Sequence, residues 1–125
     1  MIIVDSNVLI ALALRDDAQR QRAKDAVAEI SEGIGIPNAV LVETARVLWN
    51  VTKDEHFIEA WCREISVGFQ LLCEQPQLVQ NALGRYAENA ARLSLVDCQL
   101  IEWHKTLGFD VLSFDDGVNR ELNRS

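Results

Sequence analysis

Met1-Ile2-Ile3-Val4-Asp5-Ser6-Asn7-Val8-Leu9-Ile10 opens the chain, and the single acid in this apolar run decides how the rest is read. Met1 to Val4 is short, apolar and β-branched, as expected of a strand buried on both faces. Asp5, Ser6 and Asn7 are all good helix N-caps, and Val8 to Leu14 continue as a short helix. A strand feeding directly into a helix is the opening of a βαβ unit, and such units build parallel sheets. In open parallel sheets ligands gather beyond the carboxyl ends of the strands, which is where Asp5 falls.

The same alternation continues downstream. A helix is expected over about Asp16 to Ile30, with Ala23, Ala26, Val27 and Ile30 at helical spacing and Gly33 and Gly35 ending it. Ile34 and Ile36 mark a second buried strand, and Pro37-Asn38 opens a helix from Ala39 to Trp49. Thr52-Lys53-Asp54-Glu55 has capping-box form and starts a helix to about Ser66. Phe69 to Cys73 reads as a third strand, and Pro76 begins a helix with Val79, Ala82, Leu83, Tyr86 and Ala90 on its inner face. Ser94 caps a helix ending at Gly108, Asp110 to Phe114 is the last clear strand, and a weak helix follows from Gly117. No Asn-Gly hairpin signal, internal repeat or linker interrupts the pattern. The expected fold is α/β, a central parallel sheet of about four to five strands with helices on both faces, in a single domain over residues 1–125.

Bulk properties narrow the function. The net charge is −7, which disfavours a general nucleic-acid binder because Lys and Arg supply most of that affinity. The count changes meaning if several acids ligate divalent cations. Cys62, Cys73 and Cys98 are an odd number without C-x-x-C spacing, and their apolar neighbours suggest buried, reduced thiols in a cytoplasmic setting. The N-terminus has no secretory form, and no apolar stretch approaches the ~20 residues that span a bilayer.

Four acids occupy costly positions. Asp5 ends the first strand, though an N-cap role would also explain it. Glu43 shares its helical stripe with Ala39, Val40 and Val47, so it should face the core; the ordinary partner would be Arg46 through an i, i+3 pair. Asp97 closes a capping box with Ser94, yet shares a face with Leu100, Ile101 and His104. Asp115 follows the strand ending at Phe114, with Asp116 beside it, and Asp-Asp-Gly is also an ordinary turn. The topology brings all four to one rim, where they would repel one another without counter-ions. An oxygen-only donor set favours Mg²⁺ or Mn²⁺ over zinc, and such ions suit phosphodiester hydrolysis by water.

These residues resemble the PIN-domain family. Ile2-Ile3-Val4-Asp5-Ser6-Asn7 is similar to its first motif, Leu41-Val42-Glu43-Thr44-Ala45-Arg46 to the second, and Leu95-Val96-Asp97-Cys98-Gln99 to the third. Val111-Leu112-Ser113-Phe114-Asp115 resembles the fourth. The resemblance covers essentially the whole chain. It implies a Mg²⁺- or Mn²⁺-dependent endoribonuclease acting on single-stranded or structured RNA. The length looks like the toxin half of a VapBC-type toxin–antitoxin pair, with a cognate antitoxin and a homodimer as expected partners. Asp5, Glu43, Asp97 and Asp115 are then the catalytic metal ligands, with Ser6 and Asp116 as supporting groups. Val96 departs from the small residue common in the family, and the ten residues after Asp115 leave little room for the family's closing strand.

Other features carry less. His56 and His104 are isolated and are read as surface or packing residues. Trp49, Trp61 and Trp103 are read as core or interface anchors. Arg15, Arg20, Arg22 and Lys24 form the candidate phosphate contact. A phospho-acceptor receiver domain would need a Lys closing a later strand, and none is placed so. The remaining alternative is a catalytically silent PIN-like binding or scaffold module, which would be expected to lose some of the acids.

Overall fold

The computed structural model describes residues 1–90 and 92–124. Four strands form one parallel sheet: β1 (Ile2–Val4), β2 (Ile34–Pro37), β3 (Gln70–Leu72) and β4 (Asp110–Leu112), in the order β3-β2-β1-β4. The central strand β1 pairs Ile2 with Ile34 on one side and with Asp110 on the other. The helices are α1 (Ser6–Ala13), α2 (Arg20–Ala28), α3 (Asn38–Thr52), α4 (Glu55–Gly68), α5 (Pro76–Glu88), α6 (Leu95–Leu107) and α7 (Asp116–Asn123).

Side-chain alternation along β1 sorts the core into two layers. Val4 packs with Val8 and Leu9 of α1, Val40 and Leu48 of α3, and Trp61 and Ile65 of α4. Ile3 points the other way, against Leu78 of α5 and Trp103 of α6, whose ring meets Phe109 edge-on at 5.3 Å. Each such fully buried aliphatic or aromatic side chain contributes about 1.5–3 kcal/mol from its removal from water. Gly35 lets the layers close: a Cβ there would sit 2.8 Å from both Leu72 Cδ1 and Met1 Sδ. The expected sheet and its covered faces are therefore present, with four strands.

Several boundaries differ from expectation for local reasons. The second helix begins at Arg20 rather than Asp16, because residues 14–19 turn first, with Asp17 Oδ1 accepting from the Gln19 N–H at 2.8 Å. It ends at Ala28, before the glycines. The capping box at Thr52 does not form. Thr52 Oγ1 donates back to Leu48 O inside α3, and Asp54 alone caps α4 by accepting from the His56 and Phe57 N–H groups. Cys98 is buried as expected, but Cys62 and Cys73 are exposed. Cys62 follows buried Trp61 on α4, and a helix turns successive residues to different faces. Trp61 and Trp103 are core residues, whereas Trp49 is 41% exposed. Among the described residues, no helix is long and apolar enough to cross a membrane.

Candidate active site

The carboxyl ends of β1 and β4 lie side by side, and the first polar residues beyond them meet there. The Asp5 N–H donates to Leu112 O at 2.9 Å, extending the β1–β4 ladder by one step. The Asp5 side chain then turns to cap α1, with Oδ1 accepting from the Ser6 N–H at 2.7 Å. Its other oxygen, Oδ2, accepts from Ser113 Oγ at 2.7 Å. Only 2% of Asp5 is exposed.

Ser113 is itself held from three sides. Its Oγ accepts from the Asp115 N–H at 3.1 Å, and its carbonyl accepts from Asn119 Nδ2 at 2.9 Å. Asn7 Oδ1 accepts from the Phe114 N–H at 3.1 Å, tying the start of α1 to the turn after β4. These bonds leave Asp5 one geometry.

The remaining acids arrive from helices. Glu43, on α3, accepts a hydrogen bond from Ser6 Oγ, which also lies 3.4 Å from Asp5 Oδ1. Ser6 therefore stands between two carboxylates. No ion pair joins Glu43 to Arg46 among the described residues. Asp97 does close the capping box: Ser94 Oγ accepts from the Asp97 N–H at 3.0 Å, and Asp97 Oδ2 accepts from the Ser94 N–H at 3.1 Å. Asp115 caps α7 by accepting from the Val118 N–H at 2.8 Å and is exposed, as is Asp116 in the same first turn. The N-terminal turns of α1, α6 and α7 thus carry Asp5, Asp97 and Asp115, and their unpaired N–H dipoles temper the negative charge.

The acids also sense one another. Burial pushes the Asp5 carboxyl up to about 6; the fields of Asp97 and then Glu43 add to this, against the lowering bonds from Ser113 and Ser6. Asp97 is likewise raised, chiefly by burial, with the charge of Asp115 acting in the same direction. Each of the four oxygen sets is engaged by an N–H or O–H donor. Among the described residues, no three His, Cys, Asp or Glu side chains close into a ready metal cage.

The supporting bonds were the part that sequence alone missed. Ser113 is the only polar residue of the run Val111 to Phe114, and that isolation was the available signal. Asn119 offered none. Replacing Ser113 by Ala should leave Asp5 Oδ2 without its short donor. We expect a loss of about 1–3 kcal/mol at pH 7, read from urea denaturation. An unchanged midpoint would show that Asp5 is held without it. Of the basic residues near α2, Arg22 is brought to this end of β4, its guanidinium 4.1 Å from the Phe114 ring centroid.

A parallel α/β sheet of order 3-2-1-4, with linked carboxylates on the rim beyond the central strand β1 and its edge neighbour β4, defines a recognisable class. The chain belongs to the PIN domain family, whose pattern it matches over residues 2–121. Among solved structures it is similar to VapC20 of Mycobacterium tuberculosis, described as a Sarcin-Ricin loop cleaving toxin. The TM-score is 0.83 at 22% identity, over 96% of this chain and 94% of that one. PAE2754 from Pyrobaculum aerophilum aligns with TM-score 0.67 at 18% identity, over 96% of this chain and 83% of that one. FitAcB from Neisseria gonorrhoeae aligns with TM-score 0.66 at 12% identity, over 100% and 95%. At these identities the likeness concerns the fold. No curated protein matches the chain significantly.

Proposed function

We propose that the chain is a Mg²⁺- or Mn²⁺-dependent endoribonuclease, the toxin of a VapBC-type pair. The observation that carries this reading is the buried Asp5 carboxyl, 2% exposed and linked through Ser6 to Glu43. Among the described residues no ion pair neutralises Asp5, Glu43, Asp97 or Asp115; the bridges that exist use other acids. A protein keeps such a costly group where a ligand of opposite charge compensates it.

The donor set fits a hard divalent cation, since every candidate atom is a carboxylate oxygen. Asp5, Glu43, Asp97 and Asp115 would hold it. Ser6 would position Glu43, and Ser113 would fix Asp5. When bound, such an ion lowers the pKa of a water molecule and offsets charge building on the phosphate. Hydrolysis then breaks the phosphorus–O3′ bond, leaving a 5′-phosphate and a 3′-hydroxyl.

A metal-free route through the substrate's 2′-hydroxyl typically uses histidine as acid and base. His104 sits in the last turn of α6, at the far end from Asp97, with Nδ1 2.7 Å from Phe109 O. His56 is exposed in the first turn of α4. Among the described residues neither imidazole bonds a rim carboxylate.

The test is to incubate end-labelled single-stranded RNA with the protein and Mn²⁺ and to analyse the new ends. We expect 5′-phosphates, cutting that EDTA abolishes, and cutting that survives a 2′-deoxy residue at the cleaved position. Cyclic phosphate ends, or cutting that persists in EDTA, would overturn the mechanism. The toxin assignment adds a cognate antitoxin, a homodimer and a cytoplasmic location to the same reading. The simplest inhibitor would place a basic side chain among the acids. Host growth unaffected by expression without any partner protein would remove the toxin assignment and leave the nuclease.

A further inference from the structure

Beside the carboxylate rim lies a cleft of about 690 Å³, walled by the end of α5, the loop after it, α6 and α7. Arg85, Arg92, Lys105, Arg120 and Arg124 line it. Glu88 and Glu121 are the only carboxylates among its lining residues, which leaves a surplus of three positive charges. The chain has twelve Lys and Arg against nineteen Asp and Glu, so the residues outside the cleft pair seven cations with seventeen acids, a net −10. Positive charge is thus concentrated on one surface of an acidic protein.

Not all of these cations are neutralised. Arg85 bonds Glu102 and approaches Glu121, and Arg124 pairs with Glu121 at 3.0 Å. Arg92, Lys105 and Arg120 form no ion pair among the described residues. Arg92 Nε and Lys105 Nζ donate only to backbone carbonyls, of Asn89 and Arg124 respectively.

The cleft also meets the site. Leu93 and Gly117 belong to its lining, and a Cβ on Gly117 would lie 3.1 Å from Asp115 Oδ1 and 3.1 Å from Leu93 Cδ2. Glycine keeps this junction open, so a chain leaving Asp115 can pass into the basic cleft.

We propose that this cleft carries the phosphate backbone of the RNA strand beside the bond that is cut, a proposal that rests on the nuclease reading for its ligand class. A polyanion approaching four carboxylates is repelled, and the repulsion acts over roughly 8–10 Å at ordinary salt. It is held only where cations face it within that range, and the cleft begins at Gly117, two residues after Asp115. Four of the five cations are arginines, whose planar guanidinium matches two phosphate oxygens at once. The cleft adds a second cationic surface to Arg22, whose guanidinium lies over Phe114.

Binding of fluorescein-labelled single-stranded RNA by fluorescence anisotropy tests this, with Asp5→Asn present throughout so that RNA is not consumed. Arg92→Glu and Arg120→Glu are compared with Arg63→Glu, an exposed charge reversal on α4, and circular dichroism checks that each is folded. We expect each cleft variant to weaken binding severalfold and to flatten the salt dependence, by about 0.7 in log–log slope for each phosphate that is no longer neutralised. Arg63→Glu should change neither. Cleft variants indistinguishable from Arg63→Glu, when the protein with Asp5 intact cuts RNA, would overturn the cleft and leave the nuclease reading. Binding lost in the cleft variants, when the protein with Asp5 intact cuts no RNA, would support the cleft as an RNA surface and remove the nuclease reading. Polyglutamate that displaces the RNA as well as unlabelled RNA does would assign the cleft to an acidic protein and overturn the proposal.

Discussion

Asp5→Asn should make the metal-free protein more stable at pH 7 while abolishing its proposed activity. In the native state the Asp5 carboxyl titrates near 6, raised above its ordinary 3.8 mainly by burial. Between those values the folded protein keeps a proton that the unfolded chain has released. Stability therefore falls as pH rises from about 4 to about 6, and stays at the lower level above. The difference corresponds to on the order of 3 kcal/mol at pH 7. Asparagine has the same shape, can accept from the Ser6 N–H, and does not titrate. Its advantage should be absent at pH 4 and full at pH 7, a gain on the order of 10 °C in Tm. Asp97 is raised in the same direction and remains in both proteins, so the difference between them isolates Asp5. Melting curves in EDTA across pH 4–8 check this, and equal Tm values at pH 7 would show that ionised Asp5 costs nothing. Mg²⁺ or Mn²⁺ should then stabilise the wild type alone, by about 2.7 kcal/mol at a hundredfold excess over Kd, and raise its Tm accordingly.

A second large effect should come from the link between α5 and α6, and it should be one-sided. Glu102 is 6% exposed and accepts from Arg85 Nε at 3.1 Å, from Arg85 Nη2 at 2.9 Å and from Thr106 Oγ1 at 2.7 Å. Arg85→Met would leave a buried carboxylate with one neutral donor, a loss of about 3 kcal/mol or more. Glu102→Gln would leave Arg85 partly exposed and still facing Glu121, 3.9 Å away, at a cost nearer 1 kcal/mol. Urea denaturation of the two variants measures the ratio. Equal losses would show that Glu102 is solvated in practice.

The fold was legible because its signals are local. Apolar runs at Ile2–Val4 and Ile34–Ile36, each followed directly by a helix, leave little but a parallel sheet. The rim was legible for a similar reason: Asp5 and Asp115 follow strands, and Glu43 interrupts an apolar stripe. What failed depended on which face of a helix a residue takes. Cys62 and Trp49 have apolar neighbours yet point outward, and neighbours along a helix say little about facing. The ordinary explanations for the acids were partly right as well. Asp97 closes its box with Ser94 and Asp115 caps α7, so a capping role and a place on the rim coexist. The basic cleft was hidden because its cations come from three helices, Arg85 from α5, Lys105 from α6 and Arg120 from α7, and from the segment around Arg92. No linear window contains enough of them to stand out.

The pairing of β1 with β4 has a consequence for when the rim can first assemble. Ile2 must wait for Asp110, and Asp5 for the hydroxyl of Ser113, 108 residues later in the chain. Contacts so distant in sequence form slowly, and during synthesis they cannot form until the second partner has left the ribosome. A nascent chain released as far as α6 would already carry Asp5, Glu43 and Asp97, but it would lack Ser113, which bonds the first, and Asp115. Translation itself would thus delay assembly of the rim until the segment around Ser113 and Asp115 has emerged.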